Sequence, residues 1–200
     1  MGDPSPSAAG TPIVNIVAER VALGPLHEGL IPFFVRWEND FATIEAGGDM
    51  PTPRSPQMVA ATWEPLIRGQ RADWIGFAIY ELPHLDPIGH TNLRDYLSPD
   101  RTAEFGITIG EVTRRGQGLG TEATKLMLDY AFSVLGVHNV WLDTLVTNEG
   151  ARRAYTRAGF KEIGRRREAR RLGDRMVDLL LMDCLATEFV PPRRRAVPRP

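Results

Sequence analysis

The amino-acid sequence predicts an α+β (mixed α/β) domain built around one twisted sheet with helices packed on it. Three observations lead there. The chain has sixteen prolines, and none falls between Pro99 and Pro191. Proline removes a backbone donor and fixes φ, so a proline-free run of that length marks the regular, densely hydrogen-bonded half. Within that half the apolar residues recur at period two, then 3.6, then two again. The half closes with two strand-like runs around a glycine turn, the ending of an antiparallel hairpin rather than of further parallel crossovers.

Residues 1–12 are rich in Pro, Ser, Gly and Ala and hold too little apolar surface to order themselves. Residues 190–200, ending PPRRRAVPRP, read as an extended Pro/Arg-rich tail, which leaves 13–189 as the domain. The stretch IVAERVAL (16–23) alternates enough for a strand. SPQMVAATWEPLIRG (55–69) predicts a short helix with Ser55 as its cap and Pro56 at its first position. DWIGFAIYEL and PIGHTNLRDYL read as two antiparallel strands joined by PHLD. AEFGITIGE (103–111) puts Glu104, Gly106 and Thr108 on one face and Phe105, Ile107 and Ile109 on the other. From Leu119 a helical stripe runs through Ala123, Leu126, Met127, Tyr130, Ala131 and Val134, with Gly136 as its C′ residue. NVWLDTLV is a strand, and Asn148 caps a short helix with Ala151, Ala154, Tyr155 and Ala158 on one face, stopped by Gly159. A hairpin turning near Leu172–Gly173 completes the chain, its RRREARR run reading as an exposed, ion-paired strand face.

Composition narrows the function. A hydrophobic fraction of 42% and a net charge of −1 describe a globular protein with no bulk attraction for nucleic acid or an anionic membrane. No apolar run approaches the ~20 residues of a membrane span, and MGDPSPSAAGTP lacks the basic start and apolar core of a signal peptide. One cysteine, Cys184, excludes an internal disulfide framework and suits a reducing compartment, so a cytoplasmic protein is expected. His27, His84, His90 and His138 are scattered without ligand spacing, so no metal is expected.

The chemistry concentrates in TRRGQGLGTEA. A Walker A loop needs a lysine after its last glycine, and here Thr121 and Glu122 follow Gly120. A dinucleotide fingerprint is met by Gly118, Gly120 and Ala123, with Asp143 at the required distance. However, EVTRR separates strand from glycine where that turn is tight, and only one further βα unit follows. The remaining reading, R-x-x-G-x-G from Arg115 to Gly120, gathers backbone N–H groups at a helix head for a pyrophosphate, with arginine adding charge.

This loop resembles the acyl-CoA-binding motif of the GNAT acetyltransferase superfamily. TLVTNEGARRAYTRAGF is similar to its second signature, carried by Asn148, Ala151, Tyr155, Gly159 and Phe160. AEFGITIGEVTRRGQGLGTEA is most similar to the RimJ/RimL-like branch, which acetylates protein N-termini, polyamines and antibiotic amines, and VALGPL with RWEND resembles that branch's opening.

The resemblance implies a mostly antiparallel sheet of about six or seven strands, about four flanking helices, and possible homodimerisation. It implies acetyl-CoA as co-substrate, an amine acceptor (small molecule or peptide), and direct transfer in a ternary complex without a metal. The same fold also serves non-catalytic CoA-binding modules. Pantetheine would lie along Ile107 and Ile109, and the pyrophosphate on the N–H groups of Gly116, Gln117, Gly118, Leu119, Gly120 and Thr121, with Arg115 and Arg114 beside it. Tyr155 is either a core aromatic or the general acid for the thiolate, and Asn148 is a helix cap, a pantetheine contact or both. Glu104 is a solvated or ion-paired carboxylate or the general base. The acceptor pocket is expected from the first half, with Trp37, Glu38, Asp40, Trp63, His90 and Asn92 as lining.

Overall fold

The computed structural model of the protein describes residues 11–193, so most of the two predicted tails lies outside it. Eight strands form one sheet in the order β1-β2-β3-β4-β5-β6-β8-β7. They are β1 (Ile16–Val17), β2 (Val21–Pro25), β3 (Trp74–Glu81), β4 (Asp86–Arg94), β5 (Thr102–Ile109), β6 (Asn139–Leu145), β7 (Lys161–Leu172) and β8 (Arg175–Leu185). Every pairing is antiparallel except β5 with β6. The five helices are α1 (Ile31–Glu38), α2 (Phe41–Gly47), α3 (Pro56–Ile67), α4 (Leu119–Ser133) and α5 (Glu149–Ala158).

Two cores form because the central strands are apolar on both faces. Helices α4 and α5 cover one face, where Leu119, Ala123, Leu126 and Met127 meet Phe105, Val140 and Leu142. Helices α1 and α3 cover the other, where Phe34, Trp37, Val59 and Trp63 meet Ala78 and Tyr80. At ~25 cal/mol per Å² of apolar surface removed from water, these two layers are the main favourable term in folding. Among the described residues no helix is long and apolar enough to cross a membrane.

The counts exceed expectation for local reasons. The strand predicted over 16–23 breaks at its charged centre, and Ala18 N–H closes a turn onto Val21 O (2.9 Å), so two strands stand where one was expected. Helices α1 and α2 fill the segment left unassigned before Ser55. The α3 cap is as predicted, Ser55 accepting from Met58 N–H. Helix α4 ends at Ser133, and Val134, assigned to its apolar stripe, is 58% exposed. The arginine run of β7 is not broadly ion-paired: among its side chains only Arg165 meets a carboxylate within the described residues, Asp178 at 3.6 Å.

Candidate active site

Beyond Glu104 the parallel strands part. Their register runs only from Thr102 opposite Asn139 to Glu104 opposite Trp141, while β5 stays paired with β4 as far as Ile109 and β6 with β8 as far as Leu145. The sheet therefore opens as a V with one free edge on each arm. The ladder to β4 shows which groups line the β5 arm. Gly110 N–H donates to Ile88 O (2.9 Å), which makes Gly89 and Ile109 a non-hydrogen-bonded pair. Alternation then turns the backbone groups of Ile107 and Ile109 away from β4 towards the opening, where Ile109 O is already taken by Arg115 Nε. An extended ligand can add there as a further strand would.

The loop after β5 leads directly to the head of α4. Gly116 and Gly118 hold φ of +73° and +85°, a left-handed conformation that glycine takes without Cβ strain. No backbone N–H from Gly116 to Thr121 meets an acceptor within the described residues; the first that does is Glu122, on Gly118 O (3.1 Å). Six consecutive free donors at the positive end of a fifteen-residue helix have the geometry to hold an anion.

The arginines around this loop divide the work. Arg115 turns inward: its Nε donates to Ile109 O (2.8 Å) and an Nη to Thr43 Oγ1 (2.8 Å), and burial lowers its pKa. Arg114 pairs with Glu81 (2.8 Å). Arg20, from the β1–β2 turn, donates to Gln117 O (2.8 Å), and its backbone N–H to Glu122 (2.8 Å). No sequence signal marked Arg20, a lone arginine brought in by a hairpin about a hundred residues away.

Helix α2 bridges the two arms of the V. Arg115 holds its Thr43 from the β5 side, and Asn148 Nδ2 holds its Ala46 O (2.8 Å) from the head of α5. Asn148 also caps α5, its Oδ1 accepting from Ala151 N–H (3.1 Å). Thr43 Oγ1 donates to Asp40 (2.6 Å), an interaction that comes first among those holding that carboxyl below its usual range. The Asp40-x-x-Thr43 spacing was the available sign of this helix start.

Tyr155 lies edge-on to Phe105 (6.2 Å) and near Phe160 (5.8 Å). Its hydroxyl makes no hydrogen bond within the described residues, and burial, with Asp143 adding, pushes its pKa up to about 12. Glu104 sits at the closed end of the V, its carboxylate on Arg94 (2.5 Å). Burial raises the Glu104 pKa against the pull of Arg94. Three strand positions separate it from Ile107, a rise of ~10 Å. Cys184 is buried, and desolvation lifts its thiol to about 11, which makes it a poor nucleophile.

On the α1–α3 face a cavity of about 320 Å³ opens beside Thr108, lined by Phe34, Trp37, Trp63 and His90 together with Glu38, Asp49 and Arg54. Trp63 stacks on Phe34 (3.9 Å, 19°) and meets His90 edge-on (4.6 Å). Desolvation lowers the His90 pKa to about 4, so the ring is neutral at neutral pH. Glu38 accepts from Trp63 Nε1 (2.5 Å) and stands 3.3 Å from Arg54 Nε. Four of the six acceptor-side residues expected from the sequence, Trp37, Glu38, Trp63 and His90, line this cavity. Asp40 instead lies at the start of α2, and Asn92 lies along β4 opposite Gly106.

These features set the frame for comparison with known proteins. The acetyltransferase (GNAT) domain profile matches residues 20–161. Spermidine N(1)-acetyltransferase of Escherichia coli K12 is 41% identical over 64 residues, 32% of this chain and 34% of that protein. The Vibrio cholerae enzyme of that name is 31% identical over 90 residues, 45% and 51% of the two chains. The matched segments thus span about a third to a half of these curated relatives.

The fold resembles the spermidine N-acetyltransferase from Vibrio cholerae in complex with CoA and spermine (TM-score 0.76, 23% identity, 84% of this chain and 96% of that one). It also resembles a GNAT-family acetyltransferase from Bacillus anthracis (TM-score 0.74, 16% identity, 86% and 99%). The profile match takes in the split between β5 and β6, the glycine loop and the Asn148–Tyr155 helix, and on it the chain belongs to the GNAT acetyltransferase family.

Proposed function

We propose that this chain moves the acetyl group of acetyl-CoA to a primary amine by direct attack in a ternary complex. The observation that carries the proposal is the run of six free N–H groups from Gly116 to Thr121, continuous with the free edge of β5. That arrangement fits a pyrophosphate followed by an extended, amide-bearing chain, as CoA presents. Acetyl-CoA, when bound, supplies a thioester whose carbonyl carbon is the electrophile.

The chain's own groups do the rest. The backbone of Ile107 and the N–H of Ile109 orient the ligand, Arg20 adds positive charge at the loop, Arg114 is neutralised by Glu81, and Arg115 braces the loop from within through Ile109 O. Tyr155 holds a proton on its hydroxyl at neutral pH and donates it to the departing sulfur. The amine arrives with a reference pKa of ~10.4, and where it lies against the Phe34, Trp37 and Trp63 rings desolvation favours its neutral form. Glu104 does not line the cavity, so its part in proton removal runs through water.

The two curated relatives above carry spermidine N-acetyltransferase names, which support polyamines among the expected acceptors and lend nothing to the RimJ/RimL-like branch. The test is release of free thiol from acetyl-CoA with spermidine, aminoglycosides, amino acids, peptides starting with Ala or Ser, and aromatic amines. Amine-dependent release is the expected result. No release across the panel, with acetyl-CoA still raising Tm, would leave a CoA-binding protein without this activity.

A further inference from the structure

The charges of the acceptor-side cavity are unevenly spent. Glu38 accepts from Trp63 Nε1 through Oε1, and its Oε2, without a hydrogen bond among the described residues, is charge-paired with Arg54 Nε at 3.3 Å. Arg54 is itself fixed by an Nη on Thr62 Oγ1 (2.7 Å) and its backbone N–H on Asn39 Oδ1 (3.0 Å). Asp49, exposed at the rim, is the remaining carboxylate of the lining. Two carboxylates against one guanidinium leave a single net negative charge, and His90 adds none because burial keeps it neutral. The apolar part of the wall is aromatic: Phe34 stacks on Trp63 and meets Trp37 edge-on, with Ile44 and Met50 beside them. A volume near 320 Å³ is at the small end of the ~300–1,000 Å³ common for small-molecule sites.

A polyamine brings two ammonium groups besides the one that reacts, and each would need its own carboxylate once out of water. This cavity has one to give, at its rim. An aromatic or bulky apolar amine needs none for its body, which gains ring contacts and sheds apolar surface. From this we infer that the acceptor is a primary amine on a flat aromatic or bulky apolar body with no second ammonium group, and that the Arg54–Glu38 pair sets that preference by neutralising the deep carboxylate. The inference rests on the reading of the site as an amine acetyltransferase.

The experiment measures kcat/KM by thiol release for phenethylamine, tryptamine and spermidine, with the intact chain and with Arg54→Ala. The aromatic amines should lead spermidine by about tenfold or more, since pocket contacts discriminate by such factors. Arg54→Ala frees the Glu38 carboxylate and should shift the ratio toward spermidine by about tenfold, as like-charge removal does at a binding surface. Spermidine matching or beating the aromatic amines overturns the inference and leaves the acetyltransferase reading standing. A ratio unmoved by Arg54→Ala overturns the assigned role of the pair. No release with any amine overturns both readings together.

Discussion

Two side chains carry predictions of opposite kind. Tyr155 has an unpartnered hydroxyl beside the split and a pKa pushed up to about 12. Tyr155→Phe should lower kcat by about a hundredfold, the lower end for general acid catalysis, and leave the acetyl-CoA Kd within about twofold. Equal losses in both would make the tyrosine a packing residue. With its pKa near 12, the phenol contributes no alkaline fall in kcat across the neutral and mildly alkaline range. His90 speaks to stability instead. Its folded pKa of about 4 lies below the ordinary 6.5, so the folded state binds the proton less well than the unfolded one. Its contribution is therefore complete above about pH 6.5 and lost as pH falls towards 4, on the order of 3 kcal/mol in all. Urea midpoints at about pH 7 and about pH 4 should show that loss, and His90→Phe should shrink it while keeping the ring contacts.

Elements place these side chains, and the placement is fragile at two points. A Cβ at Gly110 would run into the Trp37 indole, whose Nε1 is anchored on Glu111 (3.0 Å). Gly110→Ala should cost ~1–3 kcal/mol by overpacking and raise the acceptor KM more than that of acetyl-CoA, as urea unfolding and steady-state kinetics would reveal. Thr43→Val removes the hydroxyl that Arg115 and Asp40 share, at a cost of ~1–3 kcal/mol for the donor left unpaired, and should raise the KM for both substrates. The same scale explains what the sequence revealed. The alternation of 103–111 and the Asn148 and Ser55 caps were legible because period and cap chemistry are local properties. The break at Glu19–Arg20 was not, since the apolar runs on both sides, Ile16–Ala18 and Val21–Leu23, each read as strand and nothing local separates them. Helix α2 was hidden too: it is seven residues long, and side chains from distant segments hold it.

For the whole molecule, the sheet order and both cores are consequences of the apolar pattern, whereas the cavity is not. Phe34, Arg54, Trp63 and His90 converge only because α1 and α3 cross the same face of β4, and no spacing along the chain encodes that meeting. Acetyl-CoA at about a hundred times its Kd should stabilise the fold by ~2.7 kcal/mol and raise Tm by roughly 5–10 °C, readable by differential scanning fluorimetry. Helix α2 gives that number a further meaning. Its Thr43 and Ile44 wall the cavity proposed for the acceptor, and its two tethers come from Arg115 and Asn148, one on each arm of the split. A ligand that steadies this helix from one side prepares it for the ligand on the other. Equilibrium linkage then requires reciprocity: whatever factor the amine adds to the affinity for CoA, CoA adds to the affinity for the amine.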